Sequence, residues 1–313
     1  MSRSKGFSLV ELAVAVAIIA LLLAGAMIPL ATQIDVRNVA DTQRSMESIR
    51  EAIMGFAQAN GRLPCPAAGG TPAGTTDTTT WATPIAAGAE QWDPANLRCY
   101  IEFGVVPWAA LGVPETDAWG RRFSYRVSPA FADDVNLWKT WSSAQNTAGP
   151  PALPAPQIVP AIASPKNQNP SCAPTPAPTL SSFAICSLGD IAIFTRGGST
   201  TTAVPLGTAL PAVIISHGKN GFGAWQTNGT RLNPIPTGND EAANVNMNTT
   251  ATPSGSYQSW AFYSRIRTPA AAGCVDPVPP ATSAAPACEF DDIVVMITSN
   301  ALIARTVAAG RLP

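Results

Sequence analysis

From Leu12 to Ala31 the chain carries no charge, and beyond that point its pattern turns amphipathic. Twenty helical residues measure about 30 Å, the depth of a bilayer's hydrocarbon core. In the next segment Ile34, Val39, Met46, Ile49, Ile53 and Phe56 recur mostly at steps of three, four or seven, with polar residues between. That period predicts a helix with one buried face. Asn60-Gly61 supplies the stop, and Pro64 lies beyond it. The pattern therefore predicts a single helix from Phe7 to Asn60, roughly 80 Å long at 1.5 Å per residue. Residues 7–31 form its transmembrane half and 32–61 its amphipathic half. Gly25 and Pro29 are the positions at which it can bend.

Past residue 61 the period changes to that of strands. Phe123–Val127, Asp190–Arg196, Ala212–Ser216, Trp260–Ile266 and Phe290–Thr298 are rich in β-branched and aromatic residues and are bounded by turn residues. A short closing helix is predicted with Ser299 or Asn300 as its cap and Gly310 as its end. "GRLP" stands twice, at Gly61–Pro64 and Gly310–Pro313, each time as a helix stop. Residues 149–182 are Pro-rich and read as an extended insertion in a head spanning 62–313. The fold class is α+β: a long N-terminal stem, membrane-spanning in its first half, packed on an antiparallel sheet with long Pro/Gly-rich loops.

Charge narrows the partners. Nineteen Lys and Arg against twenty Asp and Glu give a net charge of −1, which argues against a nucleic-acid partner. Arg3 and Lys5 precede the apolar run, so the N-terminus stays cytoplasmic and the head is exported. An exported head is consistent with an even set of six cysteines. The repeated separation of Cys172/Cys186 and Cys274/Cys288 favours three sequential bridges, the first being Cys65–Cys99. Zinc is disfavoured, because His217 is the only histidine.

Little in the head reads as catalytic. Ser216 and His217 are neighbours, but adjacent residues of a strand diverge, and His217 precedes a Gly-rich turn. Neither "RGGST" nor "GKNGFG" has the phosphate-loop spacing. No enzyme is expected. Two acidic clusters, Asp240-Glu241 and Asp291-Asp292, are candidate calcium ligands; the alternative is solvated turn residues. A strand through Asp291 and Asp292 would point them to opposite faces. Eight tryptophans raise a sugar-binding reading against an ordinary core one, and coplanar exposed rings would favour the former.

The "KGFSLVEL" stretch resembles the signal of type IV pilins and type II secretion pseudopilins. The resemblance implies cleavage by a prepilin peptidase between Gly6 and Phe7, which makes 1–6 a leader, and N-methylation of Phe7. It also implies that Glu11 is the family's acidic residue, five places into the mature chain, and the Phe7 amine offers it a partner in the same chain or in an adjacent subunit. A carboxylate within the bilayer costs about 2.5–3.5 kcal/mol on insertion scales, so such residues usually have partners. "LGVPETDAWGRRFSYRV", "AVIISHGKNGFG" and "EFDDIVV" resemble segments of the pseudopilin head, whose C-terminal loop holds calcium. The long insertions depart from that pattern and point to a minor or enlarged pseudopilin.

The implied function is that of a structural subunit, with other pilin-like subunits, an inner-membrane assembly platform and lipid as partners. Its expected place is the inner membrane, single-pass, with a periplasmic head, and a filament after assembly. The alternative is a tip adhesin that binds a surface or a sugar.

Overall fold

The computed structural model describes residues 8–78, 84–94, 97–134, 172, 179–196, 203–232, 238–246, 250–251, 259–274, 276 and 286–312. For residues 22–32, 246, 250–251 and 259 it describes the backbone. Gly6, Phe7, Trp81, Trp138, Trp141 and most of the 149–182 insertion lie outside the described residues. The chain divides into two compact units, Met1–Asp41 and Thr42–Pro313.

Helix α1 runs over Leu9–Asn60. In the first unit its apolar side chains from Leu9 to Leu21 are exposed. Among the described residues no helix is both long and apolar enough to cross a membrane. The side chains of 22–32, a large part of the uncharged run, are outside that description.

In the second unit one face of α1 is buried at Thr42, Met46, Ile49, Ile53 and Ala57, at steps of four, three, four and four. Met46, Ile49 and Ile53 are fully buried, worth about 1.5–3 kcal/mol each. Of the predicted face, Ile34 is exposed and Val39 and Phe56 are half-buried, so the apolar stripe narrows toward Asp41.

The helix ends at Gly61, whose φ of +70° is the left-handed stop that glycine adopts at least cost. Gly310, at φ +69°, ends the last helix in the same way. The second "GRLP" also serves the first: Arg311 donates from Nε to the Gln58 carbonyl at 3.0 Å and from Nη2 to the Ala59 carbonyl. Carbonyls that a helix end leaves unpaired thus find a partner from the far end of the chain.

Two short ribbons come first, β1 (Thr76–Asp77) with β2 (Ile85–Ala86) and β3 (Trp92–Asp93) with β4 (Arg98–Cys99). Then follow β5 (Phe103–Val105), α2 (Trp108–Leu111), β6 (Ser124–Val127), α3 (Pro129–Ala132), β7 (Ile191–Thr195), β8 (Val204–Leu210) and β9 (Ala212–Ser216). Helix α4 (Asn239–Asn246), β10 (Thr250–Ala251), β11 (Ser259–Tyr263), β12 (Ile293–Ile297) and α5 (Ser299–Ala308) complete the chain. One four-stranded sheet, in the order β12-β9-β6-β5, is antiparallel throughout. The other, β10-β11-β7-β8, is mixed, because β11 runs parallel to β7 with Trp260 opposite Ile191. The expected purely antiparallel head is corrected on that point.

Strand β9 joins the layers. Ala212 and Ile214 lie in a core with the stem residues Met46, Ile49 and Ile53, together with Phe123, Tyr125 and Leu302. Val213 and Ile215 lie in a second core with Ile191, Ile193, Trp260 and Phe262. Both of its faces are buried, which explains its unbroken apolar run.

Strand β8 and helix α4 are among the elements that the sequence pattern did not mark. Strand β8 contains Pro205 and Gly207, residues tolerated because it is an edge strand. Helix α4 has few apolar residues and is held by polar bonds: Asn244 accepts from the Tyr263 N–H at 2.8 Å and donates to its carbonyl at 2.9 Å. At the last helix Thr298, and neither Ser299 nor Asn300, is the N-cap, with no side-chain cap bond. Ser299 donates instead to the Ala209 carbonyl at 3.2 Å.

Candidate functional site

At the start of α1, Ser8 and Glu11 satisfy each other. The Ser8 N–H donates to Glu11 Oε2 at 2.9 Å, and the Glu11 N–H donates to Ser8 Oγ at 3.2 Å. This is a capping box, and it covers amides that the first turn leaves without partners. The S-x-x-E spacing that signals such a box stands in "SLVE". Glu11 therefore has a local role within its own helix. Gly6 and Phe7, the expected cleavage pair, lie outside the described residues.

In the head, one carboxylate from each of Glu241, Asp291 and Asp292 comes together, with ligand atoms within 4.8 Å of one another. Glu241 stands in the first turn of α4. Asp291 and Asp292 lie in the approach to β12, which begins only at Ile293. The strand alternation that would have separated them does not apply there. Asn220 N–H holds Asp291 Oδ2 at 2.8 Å, Asn220 Nδ2 holds Glu241 Oε1 at 2.9 Å, and Asn244 Nδ2 holds Asp292 Oδ2 at 2.8 Å. Burial, then repulsion from Asp292, pushes the Glu241 carboxyl up to about 9. Burial likewise raises Asp291. Three hard oxygen donors in a partly buried turn suit a divalent cation such as calcium, which takes roughly six to eight oxygens. Buried Asp292 Oδ1, which makes no hydrogen bond, fits the same need.

Asp240, the fourth expected ligand, is not part of this group. Its Oδ1 accepts from Arg196 at 2.7 Å and its Oδ2 lies 3.0 Å from Arg265 Nε. Arg265 also reaches Asp276 at 3.2 Å. Neighbours in a helix point about 100° apart, so Asp240 and Glu241 serve different clusters. Burial, then Asp276, raises the Asp240 carboxyl to about 6 despite the two guanidinium groups.

His217 is buried, which the expected turn position did not imply. Its Nε2 lies 2.8 Å from Ser124 Oγ and its Nδ1 lies 3.5 Å from Asp292 Oδ1. Ser216 turns the other way and donates to Asp117 Oδ2 at 2.7 Å. The Ser124–His217–Asp292 order is that of a hydrolytic triad, but Ser124 is only 2% exposed in the middle of a sheet. A nucleophile must meet its substrate, and this one faces the interior. The Ser124–His217 contact ties β6 to the end of β9.

The five described tryptophans each sit beneath an arginine. Arg62 lies over Trp92 at 3.9 Å, Arg126 over Trp260 at 4.2 Å and Arg122 over Trp108 at 4.5 Å. Arg231 over Trp225 and Arg267 over Trp119 are looser, at 5.7 and 5.9 Å. None of these five is exposed, and guanidinium groups cover ring faces that a sugar would need. Three disulfides, Cys65–Cys99, Cys172–Cys186 and Cys274–Cys288, join neighbours in sequence.

Residues 1–27 match the family described as prokaryotic N-terminal methylation motif, the signature of type IV pilins and pseudopilins. No curated protein and no solved structure matches the chain.

Proposed function

We propose that the protein is a structural subunit of a type II secretion pseudopilus or a type IV pilus. The observation that carries this reading is the methylation motif over residues 1–27, set at the head of a 52-residue helix. A prepilin peptidase cuts between Gly6 and Phe7 and methylates the new amine. Residues 7–31 anchor the subunit in the inner membrane, with the head in the periplasm. On extraction into the filament, Glu11 pairs with the Phe7 amine of a neighbouring subunit, so the pair sets axial register. The lipid cost of an unpaired carboxylate favours this exchange.

Packing between stems is the work of such a subunit, and the head needs no chemistry for it. Glu241, Asp291 and Asp292 would hold calcium, whose charge offsets their mutual repulsion and fastens α4 to β12. Among the described residues the tryptophan faces are covered by arginines, which does not favour the adhesin reading.

The decisive test is N-terminal sequencing of the exported protein and of Gly6→Ala. The wild-type chain is expected to begin at N-methylated Phe7 and the variant to keep its leader. A Gly6→Ala chain that still begins at Phe7 would falsify this reading.

A further inference from the structure

The chain contains three Asn-Gly pairs, Asn60-Gly61, Asn220-Gly221 and Asn228-Gly229. Glycine has no side chain to hinder attack by its own backbone nitrogen on the preceding carboxamide. The structure treats the three very differently.

Asn60 closes α1. Its Nδ2 donates to the Phe56 carbonyl at 2.9 Å, and the Gly61 N–H donates to Ala57 at 2.8 Å. Gly61 is also clasped, its carbonyl accepting from Ser182 N–H at 2.8 Å and Ser181 Oγ at 3.2 Å. Asn220 is held through its backbone N–H and both ends of its carboxamide. Its N–H goes to Asp291, its Nδ2 to Glu241, and its Oδ1 accepts from Phe222 at 3.1 Å. Gly221 is buried, with its N–H on the His217 carbonyl at 2.9 Å.

Asn228 sits on an exposed turn. Its Oδ1 accepts from the Thr230 N–H at 2.9 Å, and the Thr230 hydroxyl lies at 2.7 Å. That hydroxyl has one proton, which it shares between Asn228 Oδ1 and Gln226 Oε1 at 2.8 Å. Both donors stand where negative charge gathers if the carboxamide carbon is attacked, as an oxyanion hole does. What restrains the attacking nitrogen is one bond, from Gly229 N–H to the Gln226 carbonyl at 3.0 Å.

We propose that Asn228-Gly229 is a self-modifying site, at which the turn converts its own asparagine to an acidic residue. The Gly229 nitrogen attacks Asn228 Cγ and forms an N–Cγ bond, and its proton passes to hydroxide. The Cγ–Nδ2 bond breaks and Nδ2 leaves as ammonia, taking up a proton from water. Water then opens the succinimide at either carbonyl, giving aspartate or isoaspartate. The net exchange consumes one water, releases one ammonia and needs no oxidant or enzyme. The product adds a carboxylate to the surface of the head. Through isoaspartate it also lengthens a turn whose Thr227 carbonyl is held by Arg122 at 3.2 Å and by Ala73 at 2.8 Å.

The test is peptide mapping by mass spectrometry of the full-length protein, aged in water enriched in heavy oxygen at neutral and mildly alkaline pH. A parallel sample is aged in urea. In the folded chain Asn228 is expected to gain the label at least about tenfold faster than Asn60 or Asn220, which have more bonds to break. In urea the three rates should converge. Folded Asn228 reacting no faster than either other site would overturn the proposal. So would an Asn228 that stays intact when folded but reacts in urea, since the turn would then be protecting it.

Discussion

Ser8 Oγ and the Glu11 carboxylate each accept the other residue's backbone N–H, at 3.2 and 2.9 Å, so the apolar helix starts with its own cap. Removing the hydroxyl in Ser8→Ala should cost about 1 kcal/mol at the helix start, the usual worth of an N-cap. Hydrogen exchange in detergent micelles is the readout. The Glu11 amide should exchange roughly fivefold faster, while amides beyond Asp41 stay unchanged. Equal exchange would mean that the cap does not hold the turn.

Gly61 and Gly112 offer a matched pair. Both have positive φ, but a Cβ on Gly61 would meet the Leu180 carbonyl oxygen at 2.0 Å, whereas at Gly112 nothing lies within 4 Å. Gly112→Ala should lose only the backbone cost, about 1–2 kcal/mol. Gly61→Ala must also displace the 180–182 strap and should melt at a clearly lower temperature. Similar melting points would show that the strap yields freely.

Ala209 is a non-glycine residue at φ +55°, between two layers, with its carbonyl accepting from Gly189 N–H and Ser299 Oγ. Ala209→Gly relieves the left-handed cost of about 1–2 kcal/mol against roughly 0.5–1 kcal/mol of added unfolded-chain freedom. A net gain of a few tenths to about 1 kcal/mol is expected in urea unfolding. A loss would place the strain elsewhere.

Glu102 gives the head a pH dependence. Burial, opposed by Arg126 and reinforced by Asp190, raises its carboxyl to about 7. The folded state therefore holds a proton that the unfolded chain releases near the ordinary value. The sign follows: this contribution is fully present below about pH 4.5 and is lost as pH rises through about 7. Denaturation of wild type and Glu102→Gln across that range should show the decline in the first and its flattening in the second.

Calcium should raise the melting temperature of the head, and chelator should lower it. Glu241→Gln removes one of the three converging carboxylates and should abolish the shift. Asp240→Asn is the contrasting control, since Asp240 belongs to the Arg196–Arg265 cluster: it should destabilise while leaving the calcium shift in place. A calcium shift of unchanged size in Glu241→Gln would move the cation elsewhere.

Much of this was already written along the chain. Uncharged Leu12–Ala31, the Met46–Ile49–Ile53 face, and Gly61 and Gly310 as stops depend on local period and local backbone freedom, so they could be read without a fold. Strand β9 was placed at Ala212–Ser216 for the same reason. The equal spacing of two cysteine pairs anticipated the sequential bridges.

Tertiary structure alone decided what depends on neighbours distant in sequence. That β11 lies parallel to β7, that His217 meets Ser124 and Asp292, and that Asp240 leaves Glu241 for a pair of arginines are facts of register and layer order. The same holds for the five arginines that cover tryptophan faces. A buried charge must find a partner wherever the fold brings one near, and local sequence carries no record of that distance.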